Sequence, residues 1–264
     1  MLHIPEPNTD SILKIKDLYY LFFNSQPFTI FEFGARYCED SLEMSINFPN
    51  ATIISFECNP NTLPECREKI KSNPNIKLIE TAVGNHDGTI TFYPINKEKT
   101  ITTWEDGNQG ASSIFKASGN YPVEQYYQDE IEVPIKRPIT IINELNIDQI
   151  DLLWMDIQGS ELLALEGFED KLSSVKLIFT EVEFVEIYSG QPLFKDIKQF
   201  LENNDFSFIQ LFNESSYAAD AIFINNKFIS KNKIEEVIAL NKVDAKKSNI
   251  FNRIKKKTRS MLKW

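Results

Sequence analysis

Strand-like and helix-like segments alternate along most of this 264-residue chain, and that alternation constrains the fold more than any other feature. Two parallel strands cannot be joined by a tight turn; they need a crossover of a dozen or more residues, usually a helix. The strand-like runs are FTIFEF (28–33), TIISFE (52–57), IKLIET (76–81), TITFYPI (89–95), IEVPIK (131–136), IDLLWMD (150–156), KLIFTE (176–181), FSFIQLF (206–212) and ADAIFI (219–224), rich in β-branched and aromatic residues. Between them lie helix-like segments: one beginning near Glu39, one with Pro64 in its first turn, then 139–147, 159–172 and 192–204, all preceded by an opening helix over 10–24. The expected fold is α/β, a Rossmann-like, doubly wound, mostly parallel sheet with helices on both faces. The last two runs follow one another too closely for a crossover and read as a hairpin-like pair with an antiparallel edge strand. The chain then divides into an N-terminal helical segment (1–27), a main domain (28–230) and a C-terminal helical segment with a basic tail (231–264).

Charge narrows the function classes. Eight of the 28 Lys and Arg residues fall between Lys246 and Trp264, a stretch without an acid, so the rest of the chain holds 20 basic against 38 acidic residues. Such a body repels phosphate backbones, which argues against nucleic acid as substrate. In the tail, Ile250, Phe251, Ile254, Met261 and Leu262 recur at helical spacing, with Lys255, Lys256, Lys257 and Arg259 between them. Two expectations stay open there: peripheral contact with an anionic membrane, or packing against the acidic body. The opening MLHIPEPNTD does not read as a signal peptide, and a cytoplasmic location is the simplest expectation. Cys38, Cys58 and Cys66 have no zinc-site spacing, His3 and His86 are isolated, and no spacing demands a resident metal, while a shared proton and a divalent cation between Asp156 and Glu181 stay open as alternatives.

In open sheets of this kind, ligands bind outside the carboxyl ends of the strands near the switch point. Gly34, directly after the first strand, lets the backbone turn sharply and approach a ligand closely. Glu57 closes the second strand, where an acid can accept hydrogen bonds from ribose hydroxyls. The second and third glycines of G-x-G-x-x-G are missing, so a nucleoside without a pyrophosphate suits the turn better than a dinucleotide. S-adenosyl-L-methionine is such a ligand. Read as local structure alone, Gly34 is a turn and Glu57 a solvated strand end. Asp156, at the end of the 150–156 run, could orient or deprotonate an acceptor hydroxyl, or simply cap nearby backbone amides. The long polar stretch 96–130, with Trp104 taken as exposed, is expected to close over the site.

Several blocks together resemble the FkbM family of methyltransferases. Glu32-Phe33-Gly34-Ala35-Arg36-Tyr37-Cys38-Glu39-Asp40-Ser41 is similar to the family's D-V-G-A-N-x-G-x-x-S, with Glu32 for Asp, Arg36 for Asn and Cys38 for the second Gly. Ser55 through Pro60 resembles its F-E-P-x-P segment, and Thr81-Ala82-Val83-Gly84-Asn85 its A-x-G/S-D segment. Asp151 through Leu162 resembles the D-L-L-K-x-D-x-E/Q-G-x-E-L block. Glu181-Val182-Glu183 and Tyr188-Ser189-Gly190-Gln191 resemble the family's residues after the fifth strand. Gly110-Ala111-Ser112-Ser113 resembles a family loop over the site.

The resemblance implies a seven-stranded class I methyltransferase fold with S-adenosyl-L-methionine as cofactor. It implies cofactor binding by Glu32, Gly34, Ala35, Arg36, Ser41, Glu57, Cys58, Ala82, Val83 and Asp156. Ser112, Ser113, Gln158, Glu183 and Tyr188 would bind the acceptor, with Asp156 and Glu181 as the catalytic pair. The reaction expected is O-methylation of a hydroxyl on a sugar, glycan or small natural product. A nicotinamide-dependent Rossmann oxidoreductase and an inert binding protein that keeps the fold are the alternatives, the second prompted by Cys38.

Overall fold

The computed structural model describes residues 3–239, so the basic tail from 246 onward lies outside the described residues. Seven strands form the main sheet: β1 (Thr29–Phe33), β2 (Thr52–Glu57), β3 (Ile76–Glu80), β7 (Ile150–Met155), β8 (Val175–Glu183), β9 (Phe206–Phe212) and β10 (Ala218–Asn225), in the order β3-β2-β1-β7-β8-β10-β9. Strands β3, β2, β1, β7 and β8 pair in parallel, and β10 runs antiparallel to both β8 and β9. The antiparallel strand is therefore not at the edge, as the sequence suggested, but second from it. Burial explains the swap: five consecutive residues of β10, Ala221–Asn225, are buried, whereas β9 is mostly half-buried. A strand apolar on both faces takes an interior position, and the more polar one tolerates the edge.

Two predicted strands leave the main sheet. β5 (Gly88–Phe92) and β6 (Ile131–Lys136) form a small separate sheet with β4 (Ala82–Val83), in the order β4-β6-β5. It packs a minor core around Ala82, Phe92, Val133 and Ile135.

Helices cover both faces. α1 (Thr9–Phe23) and α2 (Glu39–Asn47) bury Ile12, Ile15, Tyr19 and Met44 against Ile30, Leu152 and Trp154 on one face. On the other, Ile141 of α4 (Pro138–Leu145), Ala164 of α5 (Glu161–Glu166) and Ile197 of α6 (Phe194–Asn203) share a core with Phe31, Phe33, Phe56 and Met155. α3 (Leu63–Ile70) flanks β3. All six residues of β7 are buried, the pattern of a central parallel strand. The helix expected over 159–172 is shorter. α5 stops at Gly167, where an added Cβ would lie 2.1 Å from the Gly84 carbonyl oxygen, and a 3₁₀ turn (Glu169–Ser174) completes the connection.

The 96–130 stretch has little regular structure but is tied down. Bridges pair Tyr93 with Ser113, Ile95 with Gln128, Ile101 with Gln125 and Ala117 with Tyr188. Trp104 is half-buried rather than exposed, with the His3 ring edge-on at 5.4 Å and the Arg36 guanidinium 5.8 Å from its centroid. Among the described residues, no helix is long and apolar enough to cross a membrane.

Candidate active site

The ends of β1, β2 and β7 are locked together around one glycine. The Gly34 and Ala35 amides donate to the Phe56 carbonyl at 3.0 and 2.9 Å, and the Asp156 amide donates to Phe33 O at 3.0 Å. Gly34 has φ +87°, and a Cβ there would fall 1.9 Å from the Asp156 carbonyl oxygen. Only glycine satisfies both the left-handed backbone and this contact. The next turn is strained as well: Arg36 and Cys38 sit at φ +49° and +57°, a region non-glycine residues enter at a cost. Cys38 is fully buried with Ala35 and Cys66, where it packs as a small apolar group.

Two concavities open on either side of this junction. One is a narrow slot of about 60 Å³ between the end of β2 and the 109–114 turn, with Val83, Phe92 and Ile114 as its apolar wall. The other is a broader cavity of about 490 Å³ beneath Trp104, Tyr121 and Tyr126. Gly34, Arg36, Gly110 and Asp156 line both, so they form the shared wall.

Glu57 sits on the floor of the slot. Its carboxylate accepts the Arg36 amide at 2.7 Å, the Cys58 amide at 2.8 Å and the Asn59 amide at 2.7 Å. Burial nevertheless outweighs these bonds and pushes its pKa up to about 7. Burial and the adjacent Glu57 charge raise the Cys58 thiol, so it stays protonated. The roof is pinned by amide contacts: Asn59 Nδ2 donates to Ser112 Oγ at 3.1 Å and to Gln109 Oε1 at 3.3 Å.

The wider cavity is acidic. Asp156 directly follows β7 and Glu181 lies two residues before the end of the adjacent parallel strand β8, and Gln158 Nε2 bridges them at 2.6 and 2.5 Å. Burial first, then the Asp156 charge, drives the Glu181 carboxyl well above the usual range. Glu183 is 1% exposed and its Oε2 makes no regular hydrogen bond; burial and the Glu161 charge raise it likewise, offset only in part by the neighbouring Gln191 amide. Gln158 also holds the roof, because Ser113 Oγ donates to its carbonyl at 2.7 Å.

The structure brings Gly34, Arg36, Glu57, Cys58, Ala82, Val83 and Asp156 to the slot, and Ala35, Gln158, Glu181 and Glu183 to the wider cavity. Ser112 and Ser113 line the slot instead of the acceptor cavity. Glu32 and Ser41 line neither: the Ser41 hydroxyl bonds to the buried Glu32 carboxyl beneath the floor, and Ser55 Oγ donates to Ser41 Oγ at 3.0 Å. Tyr188 is also fully buried, its hydroxyl 2.7 Å from Gln158 Oε1 and 2.8 Å from Ala111 O, so it braces the site from behind. Sequence reasoning missed Asn59, Gln109, Tyr121 and Tyr126. The last two lie in an aromatic-rich YPVEQYY segment that carried a signal, whereas the two amides carried none.

With this geometry in place, the comparisons are decisive on one point. The family described as "Methyltransferase FkbM domain" matches residues 33–208, from the end of β1 into β9. The chain belongs to the FkbM methyltransferase family. Its cofactor is S-adenosyl-L-methionine. Curated relatives include the 2-O-methyltransferase NoeI of Sinorhizobium fredii, 29% identical over 54% of this chain and 58% of that protein. Methyltransferase 1 of Beauveria bassiana is 26% identical over 63% and 67%. The chain thus spans little more than half the length of NoeI. Among solved structures, a precorrin-6y C5,15-methyltransferase from Geobacter metallireducens matches with a TM-score of 0.43 at 12% identity, covering 80% of this chain and 89% of that one.

The residues present fit this cofactor in kind. A cradle that a Cβ would fill, an acid on the slot floor and an apolar wall are what a nucleoside with a ribose diol requires.

Proposed function

We propose that the protein is an S-adenosylmethionine-dependent O-methyltransferase acting on a hydroxyl of a sugar, glycan or small natural product. The observation that carries this reading is the position of Asp156, which lines both cavities at their shared wall and is bridged to Glu181. The printed activity of NoeI, a 2-O-methyltransferase, supports transfer to oxygen.

S-adenosyl-L-methionine supplies an electrophilic methyl group on a sulfonium. The chain's own residues do the rest. Glu57 accepts the ribose hydroxyls, and Ala82, Val83, Phe92 and Ile114 cover the adenine. Asp156 accepts the proton that the acceptor hydroxyl loses as the new carbon–oxygen bond forms. Glu181, whose protonated form is favoured by burial, helps Gln158 fix the Asp156 carboxylate. Methyl transfer asks little more than alignment and a base. The slot is far below the roughly 300–1,000 Å³ of ligand pockets, so the 109–114 roof rises to admit the cofactor and closes again, excluding water.

The test is transfer of a labelled methyl group, with the product's methylated atom assigned by NMR. A methyl group on nitrogen or carbon overturns the oxygen assignment. Calorimetry checks the cofactor half: Glu57→Ala loses a charge-assisted acceptor, and affinity falls at least about tenfold. Because the ionised carboxylate is the better acceptor and Glu57 titrates at about 7, wild-type affinity rises as pH increases through 7. Flat affinity between pH 6 and 8, or an unchanged Glu57→Ala, removes Glu57 from the ribose.

A further inference from the structure

The wider cavity has a charge balance that the reaction itself does not demand. Seven Asp and Glu side chains line it against a single Arg, and that arginine is consumed in an ion pair with Glu39. Its walls hold no lysine. Glu183 is buried on this wall, two residues along β8 from Glu181, with one carboxylate oxygen in no regular hydrogen bond; the neighbouring Gln191 amide, its Nε2 likewise unpaired, eases the charge only in part. A buried carboxylate oxygen left without a donor is costly, and the cost is relieved when a ligand brings one.

A divalent metal could serve in principle, but among the described residues no three His, Cys, Asp or Glu side chains converge as a metal site would require. An ammonium group asks for less: one or two carboxylates and aromatic faces within reach. Both are present, since Trp104, Tyr121 and Tyr126 share the cavity with Glu181 and Glu183. Neutral hydroxyls could donate to Glu183 but would leave Glu181 and Glu183 in the protonated form that burial favours and would make no use of the aromatic faces. Phosphate- or carboxylate-bearing acceptors would be repelled outright.

We propose that the acceptor carries a protonated amine beside the hydroxyl that is methylated, with the ammonium seated against Glu181 and Glu183 and the hydroxyl facing Asp156. The substrate class is therefore an amino sugar or amino alcohol, not a nucleotide sugar, sugar phosphate or uronic acid. This deepens the O-methyltransferase reading and rests on it for the second half only. Raised carboxyl pKa values at Glu181 and Glu183 accord with it: a cation between them is what would let both ionise.

The experiment uses the full chain saturated with S-adenosylhomocysteine and three matched probes. These are glucosamine, N-acetylglucosamine and glucuronic acid, joined by a second set built on 2-aminocyclohexanol, its N-acetyl form and cyclohexane-1,2-diol. Binding is followed by saturation-transfer NMR and by the fluorescence of Trp104, with Trp104→Phe as its control. Each amine binds at least about tenfold more tightly than its acetylated or neutral partner, and glucuronic acid binds most weakly. In Glu183→Gln the amine preference falls by a similar factor, while S-adenosylhomocysteine affinity is unchanged, which shows that the variant is folded. Equal binding within the sets, no binding by either amine, or a preference that survives Glu183→Gln overturns the proposal. Turnover with S-adenosylmethionine separates the two readings: an N-methylated amine sinks the O-methyl assignment together with the seating of the ammonium away from the methyl group, whereas preferential O-methylation of the acetylated probes overturns the amine site and leaves the O-methyl assignment standing.

Discussion

β7 offers an aspartate near each end, and the two sit in opposite surroundings. At the start, Asp151 is almost saturated: it accepts from Tyr19 Oη at 3.1 Å, the Phe28 amide at 2.8 Å, the Thr29 amide at 3.1 Å and Gln149 Nε2 at 3.0 Å, and Lys176 Nζ lies 2.7 Å away. Burial alone would raise its pKa, but the Lys176 bond, the two amides and the Lys176 charge bring it below the ordinary carboxylate value. Just beyond the other end, Asp156 has one amide donor, shared with Glu181, and its neighbours Glu161, Glu181 and Glu183 are all pushed upward by burial. One carboxylate is embedded in donors and ties α1, β1 and β8 together. Asp156, Glu181 and Glu183 are short of donors at a cavity wall. Residue type and strand are the same, so the supply of donors is what separates a fastening from a site.

The comparison breaks most visibly in stability. Asp151→Asn leaves Lys176 without its counter-ion and is expected to cost about 3 kcal/mol in urea unfolding. Its turnover per folded molecule should stay near wild type. A stable Asp151→Asn would mean that the saturated network is ornamental. Next in size is Asp156→Asn, with the effects reversed: turnover falls on the order of a hundredfold, with cofactor binding little changed. Its stability is unchanged or higher, because one charge leaves a mutually repelling group. Glu181→Gln is the control; a loss as large as that of Asp156→Asn would make the two carboxylates equal partners. Near-normal turnover in Asp156→Asn would end its assignment as base.

The smallest effect sharpens the contrast by pH. Glu32, buried and bonded to Ser41, is raised from 4.5 to about 8 by burial and then by the Asp40 charge. A carboxyl raised on folding favours the folded state while protonated, so its contribution is fully present below pH 4.5 and is lost as pH rises through 8. Melting temperature should therefore fall between pH 4.5 and about 8 in the wild type, and less steeply in Glu32→Gln. Identical slopes would place the Glu32 proton elsewhere.

The sheet was legible because its signal is local. Apolar runs of five to seven residues in the windows 28–33, 52–57, 150–156 and 176–181 became β1, β2, β7 and β8 with boundaries shifted by a residue or two. Gly34, Glu57 and Asp156 were legible too, since the carboxyl ends of the central parallel strands lie along the edge where ligands bind in open sheets. The order β8-β10-β9 was not legible, because it depends on which of two adjacent strands is buried on both faces after packing. The roles of Glu32, Ser41 and Tyr188 were hidden for a related reason. Their blocks resemble those that surround a cofactor, yet each side chain turns inward and finds its partner across the fold, Ser41 for Glu32, and Gln158 and Ala111 for Tyr188.

By itself the sequence determined the α/β class, the strand ends and the family that those ends spell out, because periodicity and short motifs are properties of neighbouring residues. Only the tertiary structure decided which carboxylates are satisfied. Donors for Asp151 come from residues 19, 28, 29, 149 and 176, and none of comparable number reaches Glu183. Hydrogen-bond satisfaction is a sum over long-range partners, so it comes into being only when the chain has closed.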